Sequence, residues 1–169
     1  MKILAFMSCG LLALLAADAA QAQMKLSGKM QCAKPDPNYA VTVGDGADHA
    51  LTLGVQKCTW TEGELGGERL KEETDSVVSD IRGSMSHDRG YGVGDTANGD
   101  KYFVRFEGTS TVKNHVLADA RCTWTFTGGT GQLAKLSGKG TCKGTFAADG
   151  SSSFDIEGEY RIHKAATKK

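Results

Sequence analysis

"CTWTFTGGTGQLAKLSGKGTCKGTF", Cys122 to Phe146, decides the fold. Cys122, Trp124 and Phe126 alternate with Thr123, Thr125 and Thr127. Successive side chains of an extended backbone point to opposite faces, so this period of two describes a half-buried β-strand. Further on, Cys142 and Phe146 share a face, with Gly140 and Gly144 between them. The intervening "GGTGQLAKLSG" (Gly128 to Gly138) carries glycines that adopt backbone angles other residues avoid. The midpoint of Cys122 and Cys142 is Gln132, inside that segment, so a hairpin folded there sets the two cysteines opposite each other. Leu133 and Leu136 are then placed to plug one end of the structure.

The same words occur earlier in the chain. "KLSGKMQC" (Lys25 to Cys32) echoes "KLSGKGTC" (Lys135 to Cys142), and "CTWT" stands at Cys58 to Thr61 as well as at Cys122 to Thr125. Each "CTWT" strand is expected to pair with a "KLSGK" strand, with sulfurs meeting across the ladder under a tryptophan. Four cysteines follow residue 22: Cys32, Cys58, Cys122 and Cys142. An even number in an exported chain reads as two disulfides, with three possible connectivities. The duplicated words favour Cys32–Cys58 and Cys122–Cys142. Each such link closes a loop of roughly 20–27 residues and contributes about 3 kcal/mol in the chain-entropy model. Zinc is disfavoured, because the chain has no CxxC and no His at ligand spacing from a Cys.

The rest of the chain also alternates. Tyr102, Val104 and Phe106 oppose Lys101, Arg105 and Glu107; Phe154, Ile156, Tyr160 and Ile162 oppose Asp155, Glu157, Glu159 and Arg161. The best helical candidate, Gly66 to Gly83, breaks down because Val77, Ser79 and Ile81 share one face. "ANGD" (Ala97 to Asp100), "ADGS" (Ala148 to Ser151) and "GDGAD" (Gly44 to Asp48) are turn signals. In "ALTLGVQKCTWT", Leu51, Leu53 and Val55 lie on one parity and Cys58 and Trp60 on the other, so a bulge is expected near Gln56-Lys57. Short turns between alternating strands predict an all-β fold: a single antiparallel barrel of about eight strands over residues 23–163. Glycines at core-facing positions 138, 140, 144 and 158 allow tight curvature or give room to bulky neighbours. The expected inner wall is Trp60, Tyr102, Phe106, Trp124, Phe126, Phe146, Phe154 and Tyr160.

Residues 1–22 read as a secretory signal peptide. Lys2 is followed by an apolar run from Ile3 to Ala17, and Ala20-Gln21-Ala22 has the small-x-small form that precedes cleavage. That run is shorter than the about 20 residues a spanning helix needs. A lipoprotein reading through Cys9 lacks the small residue expected before Ser8. The expected location is the periplasm or the cell exterior. Residues 164–169 read as a disordered tail. The chain holds 20 basic and 20 acidic residues, so it presents no electrostatic footprint for nucleic acid and no polybasic membrane patch.

"FTGGTGQLAKLSGKG" (Phe126 to Gly140) resembles the GGTG segment of allene oxide cyclases and plant dirigent proteins. The longer stretch from Gly99 to Tyr160 resembles uncharacterised exported bacterial members of that calycin-type superfamily. The resemblance implies an eight-stranded barrel, and in its enzymatic members a few polar groups inside it. It assigns no such group to this chain.

Residue chemistry points to no reaction. Asp155, Glu157 and Glu159 fall on the wet face, and His49, His87, His115 and His163 are scattered and read as surface groups. There is no nucleophile-elbow motif and no strand–glycine–helix phosphate cradle. The best candidate for a mouth loop is Ser84 to Asp100, with His87, Asp88, Arg89 and Tyr91 together; the alternative for the same residues is two strand ends and a hairpin tip. Ligand contacts inside the barrel are expected from Trp60, Tyr102, Phe106, Trp124, Phe126 and Tyr160, with no cofactor and no metal. The leading expectation is a non-catalytic structural or interaction module. Carriage of a small apolar ligand and cyclase- or dirigent-type catalysis are the alternatives. The interior discriminates: a filled core favours the first, a roomy apolar cavity the second, and a cavity with a buried ionisable group the third.

Overall fold

Alternation of wet and dry residues builds ten strands: β1 (Met24–Cys32), β2 (Asn38–Thr42), β3 (His49–Glu62), β4 (Glu64–Leu65), β5 (Glu68–Arg82), β6 (Met85–Thr96), β7 (Lys101–Lys113), β8 (Val116–Gly129), β9 (Leu136–Phe146) and β10 (Ser152–Ile162). These elements come from a computed structural model that describes residues 23–114 and 116–163. The signal-peptide reading with its cleavage after Ala22 and its Cys9, the reading of His115, and the tail at 164–169 lie outside the described residues. Among the described residues no helix is long and apolar enough to cross a membrane.

Eight strands close on themselves in the order β3, β1, β10, β9, β8, β7, β6, β5, and β5 returns to β3. Every pairing is antiparallel. The expected antiparallel eight-stranded barrel is therefore the architecture. β2 runs along the edge of β3, and β4 pairs with the start of β5.

The repeated words are a structural echo. Cys32 lies opposite Cys58, Gln31 opposite Thr59 and Met30 opposite Trp60. In the second copy Cys142 lies opposite Cys122, Thr141 opposite Thr123 and Gly140 opposite Trp124. The register is the same, and each pair is tied by its disulfide. Leu26 and Leu136, the second letter of each "KLSGK", are both buried. Trp124 has room because its neighbours lack side chains: a Cβ on Gly140 would lie 2.6 Å from Trp124 Cε2, and a Cβ on Gly158 would overlap the same ring.

One barrel end is closed. After β8 the chain makes a 3-10 turn, Gly131–Leu133, and Leu133 and Leu136 are buried with Leu65 and Leu70. Asp100, at the end of the "ANGD" turn, accepts the Gln132 N–H at 3.0 Å, and its carboxylate occupies the space a Gly131 side chain would need. Gly131 also has φ +50°, in the left-handed region that favours glycine. Two turn signals far apart in sequence thus form one stopper.

Three expectations are corrected. Ser84 to Asp100 is not a loop over the mouth, because residues 85–96 are strand β6, paired on both edges. Its glycines reflect crowding inside the barrel, not flexibility. β3 has no bulge at Gln56-Lys57; its register with β5 is continuous, with Gln56, Cys58 and Trp60 inward. Leu51 and Leu53 are therefore forced outward, 43% and 48% exposed, opposite Val41 and Tyr39 of β2. His49 is buried rather than at the surface. Its ring bonds Asp45 through Nδ1 and Asp80 through Nε2 at 3.0 Å.

Gly140→Ala is expected to lower stability by about 1–3 kcal/mol, the usual range for overpacking against a fixed ring. Gly46→Ala, where a Cβ meets nothing within 4 Å, should change it by no more than about 0.5 kcal/mol. Urea denaturation of the two variants checks the contrast.

Candidate functional site

The barrel is not filled. A cavity of about 530 Å³ runs from the open end, rimmed by Lys34, Asn38, Arg121 and Gly150, to a floor at Trp60, Glu73, Asp75 and Tyr102. Five of the six expected ligand-contact residues line it: Trp60, Tyr102, Phe106, Trp124 and Phe126. Tyr160 does not. It belongs to the stoppered end, where its hydroxyl accepts the Gly66 N–H at 2.9 Å.

Glu73 and Asp75 are absent from the sequence-derived inner set, which held no acid. Both are inward on β5, each 6% exposed. They share the parity of Val77, Ser79 and Ile81, so extending that alternation backwards through "KEETDS" reaches them. What masks them is the register shift between Leu70 and Glu73, together with the ordinary tendency of carboxylates to stay in water.

Three inward glycines of β6 make room for the floor. A Cβ on Gly94 would collide with the Tyr102 ring, and one on Gly90 with Phe106. A Cβ on Gly92 would stand 2.5 Å from both Asp75 Oδ1 and Glu73 Oε1. The outward residues between them, Tyr91 and Val93, are 65% and 44% exposed. Of the four residues expected at a mouth loop, His87, Arg89 and Tyr91 point to solvent. Asp88 alone turns inward, lines the cavity and accepts the Ser86 hydroxyl at 2.6 Å and the Ser110 hydroxyl at 2.5 Å.

A short chain of hydrogen bonds holds the floor. Trp60 Nε1–H donates to the Tyr102 hydroxyl at 2.7 Å, and that hydroxyl donates to Glu73 Oε2 at 2.5 Å. Asp75 has no comparable support. Its Oδ1 is buried with no hydrogen-bond partner. Its Oδ2 lies 3.6 Å from Cys58 Sγ, but a disulfide sulfur has no proton to donate. Cys32, Cys58 and Asp75 do bring potential metal-ligating atoms together. With the sulfurs bonded to each other, no thiolate is left to ligate.

The electrostatics follow from this asymmetry. Burial pushes the Glu73 carboxyl up, and its hydrogen bonds, led by that from Tyr102, pull it back. Burial, and then the charge of Glu73, push Asp75 well above its ordinary 3.8. Burial and the Glu73 charge also push the Tyr102 phenol well above 10.0, so it remains a neutral donor. Of the two, Asp75 is the one pushed further towards its protonated form, because only Glu73 has a hydroxyl donor to stabilise its charge.

A carboxyl raised in the fold binds a proton that the unfolded chain releases. Its contribution is present below the unfolded value of 3.8 and is lost as pH rises towards the folded value. Stability should therefore fall with pH in that window by up to about 1.4 kcal/mol per unit, and Asp75→Asn should reduce that slope, leaving the part that Glu73 contributes. The exposed Asp45, lowered chiefly by its hydrogen bond to His49, and Asp80, lowered chiefly by its bond to Arg82, act in the opposite direction. They are unchanged in the variant, so urea titrations of both proteins across pH isolate the carboxyl pair from them.

No protein-family model matches the chain, and no curated protein matches it either.

Proposed function

We propose that the protein is an exported acid–base enzyme acting on a small, largely apolar molecule inside its barrel. One observation carries this reading: a pair of buried carboxyls lies at the floor of an apolar cavity, with Asp75 Oδ1 unpartnered. A purely structural cylinder fits less well, because small barrels of that kind fill their interiors with side chains. Carriage of a small apolar ligand draws on the same walls but leaves the buried acids without a purpose. Two disulfides and the signal-like residues 1–22 support a location in the periplasm or outside the cell. Kinship with the allene oxide cyclase and dirigent-like barrels is part of the proposal, supported by the barrel and the GGTG stopper.

The chemistry is a proton transfer. Trp60 orients the Tyr102 hydroxyl, and Tyr102 holds Glu73 as the anion. Asp75 gives its proton to, or takes one from, a substrate atom beside Oδ1. Glu73 stabilises the protonated form of its neighbour. Water exclusion by the aromatic wall keeps these interactions strong.

5-Nitrobenzisoxazole opens its isoxazole ring when a base removes the proton on C3 and the N–O bond breaks, giving a cyanophenolate. The protein should accelerate this probe reaction about 10²–10⁴-fold over the same concentration of acetate. The rate should rise with pH as the carboxyl pair ionises, and the double variant Glu73→Gln, Asp75→Asn should abolish it. A wild-type rate no higher than acetate between about pH 5 and pH 9 would remove the proton-transfer reading.

A further inference from the structure

The charges inside the barrel have one sign. Glu73 and Asp75 lie at the floor, and Asp88 lines the wall nearer the mouth. Asp88 accepts two serine hydroxyls. The basic residues among the lining are Lys34 and Arg121, both exposed at the rim. Around Asp75, β3 supplies Gln56 and the disulfide, β6 supplies Gly92, and β7 supplies Val104 and the neutral Tyr102. No buried cation balances the acids among the described residues.

We infer that the cavity selects a lipophilic cation, a small amine whose ammonium group donates to Asp75 Oδ1 while its apolar body lies against the aromatic wall. Asp75 Oδ1 is buried without a hydrogen-bond partner, and Asp75 lines the cavity. A hydroxyl group meets that need; an ammonium meets it and also neutralises charge. Trp60, Trp124 and Phe126 add π faces, which attract cations. An anion would pass Asp88 and then meet Glu73 in a low-dielectric floor, where repulsion is weakly screened. As the ammonium settles, the proton shared by the pair leaves to solvent, because the cation takes over its role between the carboxylates. The balance is one ammonium bound and up to one proton released.

This inference rests on the barrel being a small-molecule site, and its test is independent of any turnover. 4-Phenylbutylamine, 4-phenylbutanol and 4-phenylbutyrate share one apolar body and differ in charge. Calorimetric titration near about pH 7 should give the amine at least about tenfold tighter than the alcohol, with no binding of the carboxylate. Comparing buffers of different ionisation enthalpy should show up to one proton released per amine. Affinity should fall on acidification as the pair gains its second proton. Asp75→Asn should bring amine and alcohol to within about threefold of each other and end the proton release. Equal affinities across the wild-type trio, tighter binding of the carboxylate or no binding of the amine would overturn the inference, and these outcomes need no variant to fold. The nitrobenzisoxazole probe is neutral, so failure there with the charge order kept would remove the catalysis and leave the cation site standing.

Discussion

Inside this barrel, most of the large inward rings depend on a missing side chain beside them. Tyr102 lies against Gly94, Phe106 against Gly90, Trp124 against Gly140 and Gly158, and Phe154 against Gly144. In a closed sheet the inward positions of neighbouring strands face each other across a few ångströms, and two large side chains cannot both fit there. The glycine–ring exchange lets an eight-stranded wall carry two indoles and several phenyl rings while keeping an open cavity. It also explains why β6 spends three inward positions on glycine. Without them neither Tyr102 nor the carboxyl pair would have a place.

The same exchange sets the electrostatics. Gly92 removes the side chain that would have stood between the acids and the cavity, so Asp75 Oδ1 and Glu73 Oε1 both reach the same small space. Tyr102, seated by Gly94, brings the one strong donor, and it serves Glu73 alone. Two chemically similar acids on one strand thus acquire different roles. Glu73 accepts a hydrogen bond from a neutral phenol, and Asp75, without such a donor, is pushed further up. The disulfide against Asp75 deepens the asymmetry, because it replaces a potential thiol donor with a sulfur that has none.

Sites beyond the floor follow the same rule of matched volumes and charges. At the stoppered end, Asp100 fills the space left by Gly131 and satisfies the Gln132 N–H, so one carboxylate fastens two turns. On the outside of β3, the unbroken register that seats Cys58 and Trp60 inward compels Leu51 and Leu53 outward, where β2 partly pairs them. The outward apolar ribbon is the consequence of keeping the disulfide and the indole in register.

By itself the sequence determined most of the strands, the barrel, both cysteine pairings and the stopper, because each is written in period-two alternation or in turn chemistry that acts over a few residues; β6, rich in glycine, reads in the sequence as a candidate loop. The duplicated words even specified two strand pairs in one register. Alternation also assigned the aromatic wall, apart from Tyr160, whose side of the strand is right but whose height along the barrel is set by the tilt of the closed sheet. Only the tertiary structure decided that the interior is open and that Glu73 and Asp75 stand in it. A carboxylate is ordinarily read as a solvent-facing residue, and its burial depends on what lies across from it. Here that is a glycine, Gly92 opposite Asp75 and Gly94 opposite Glu73, and a tyrosine further still along the chain, brought together by strand pairing.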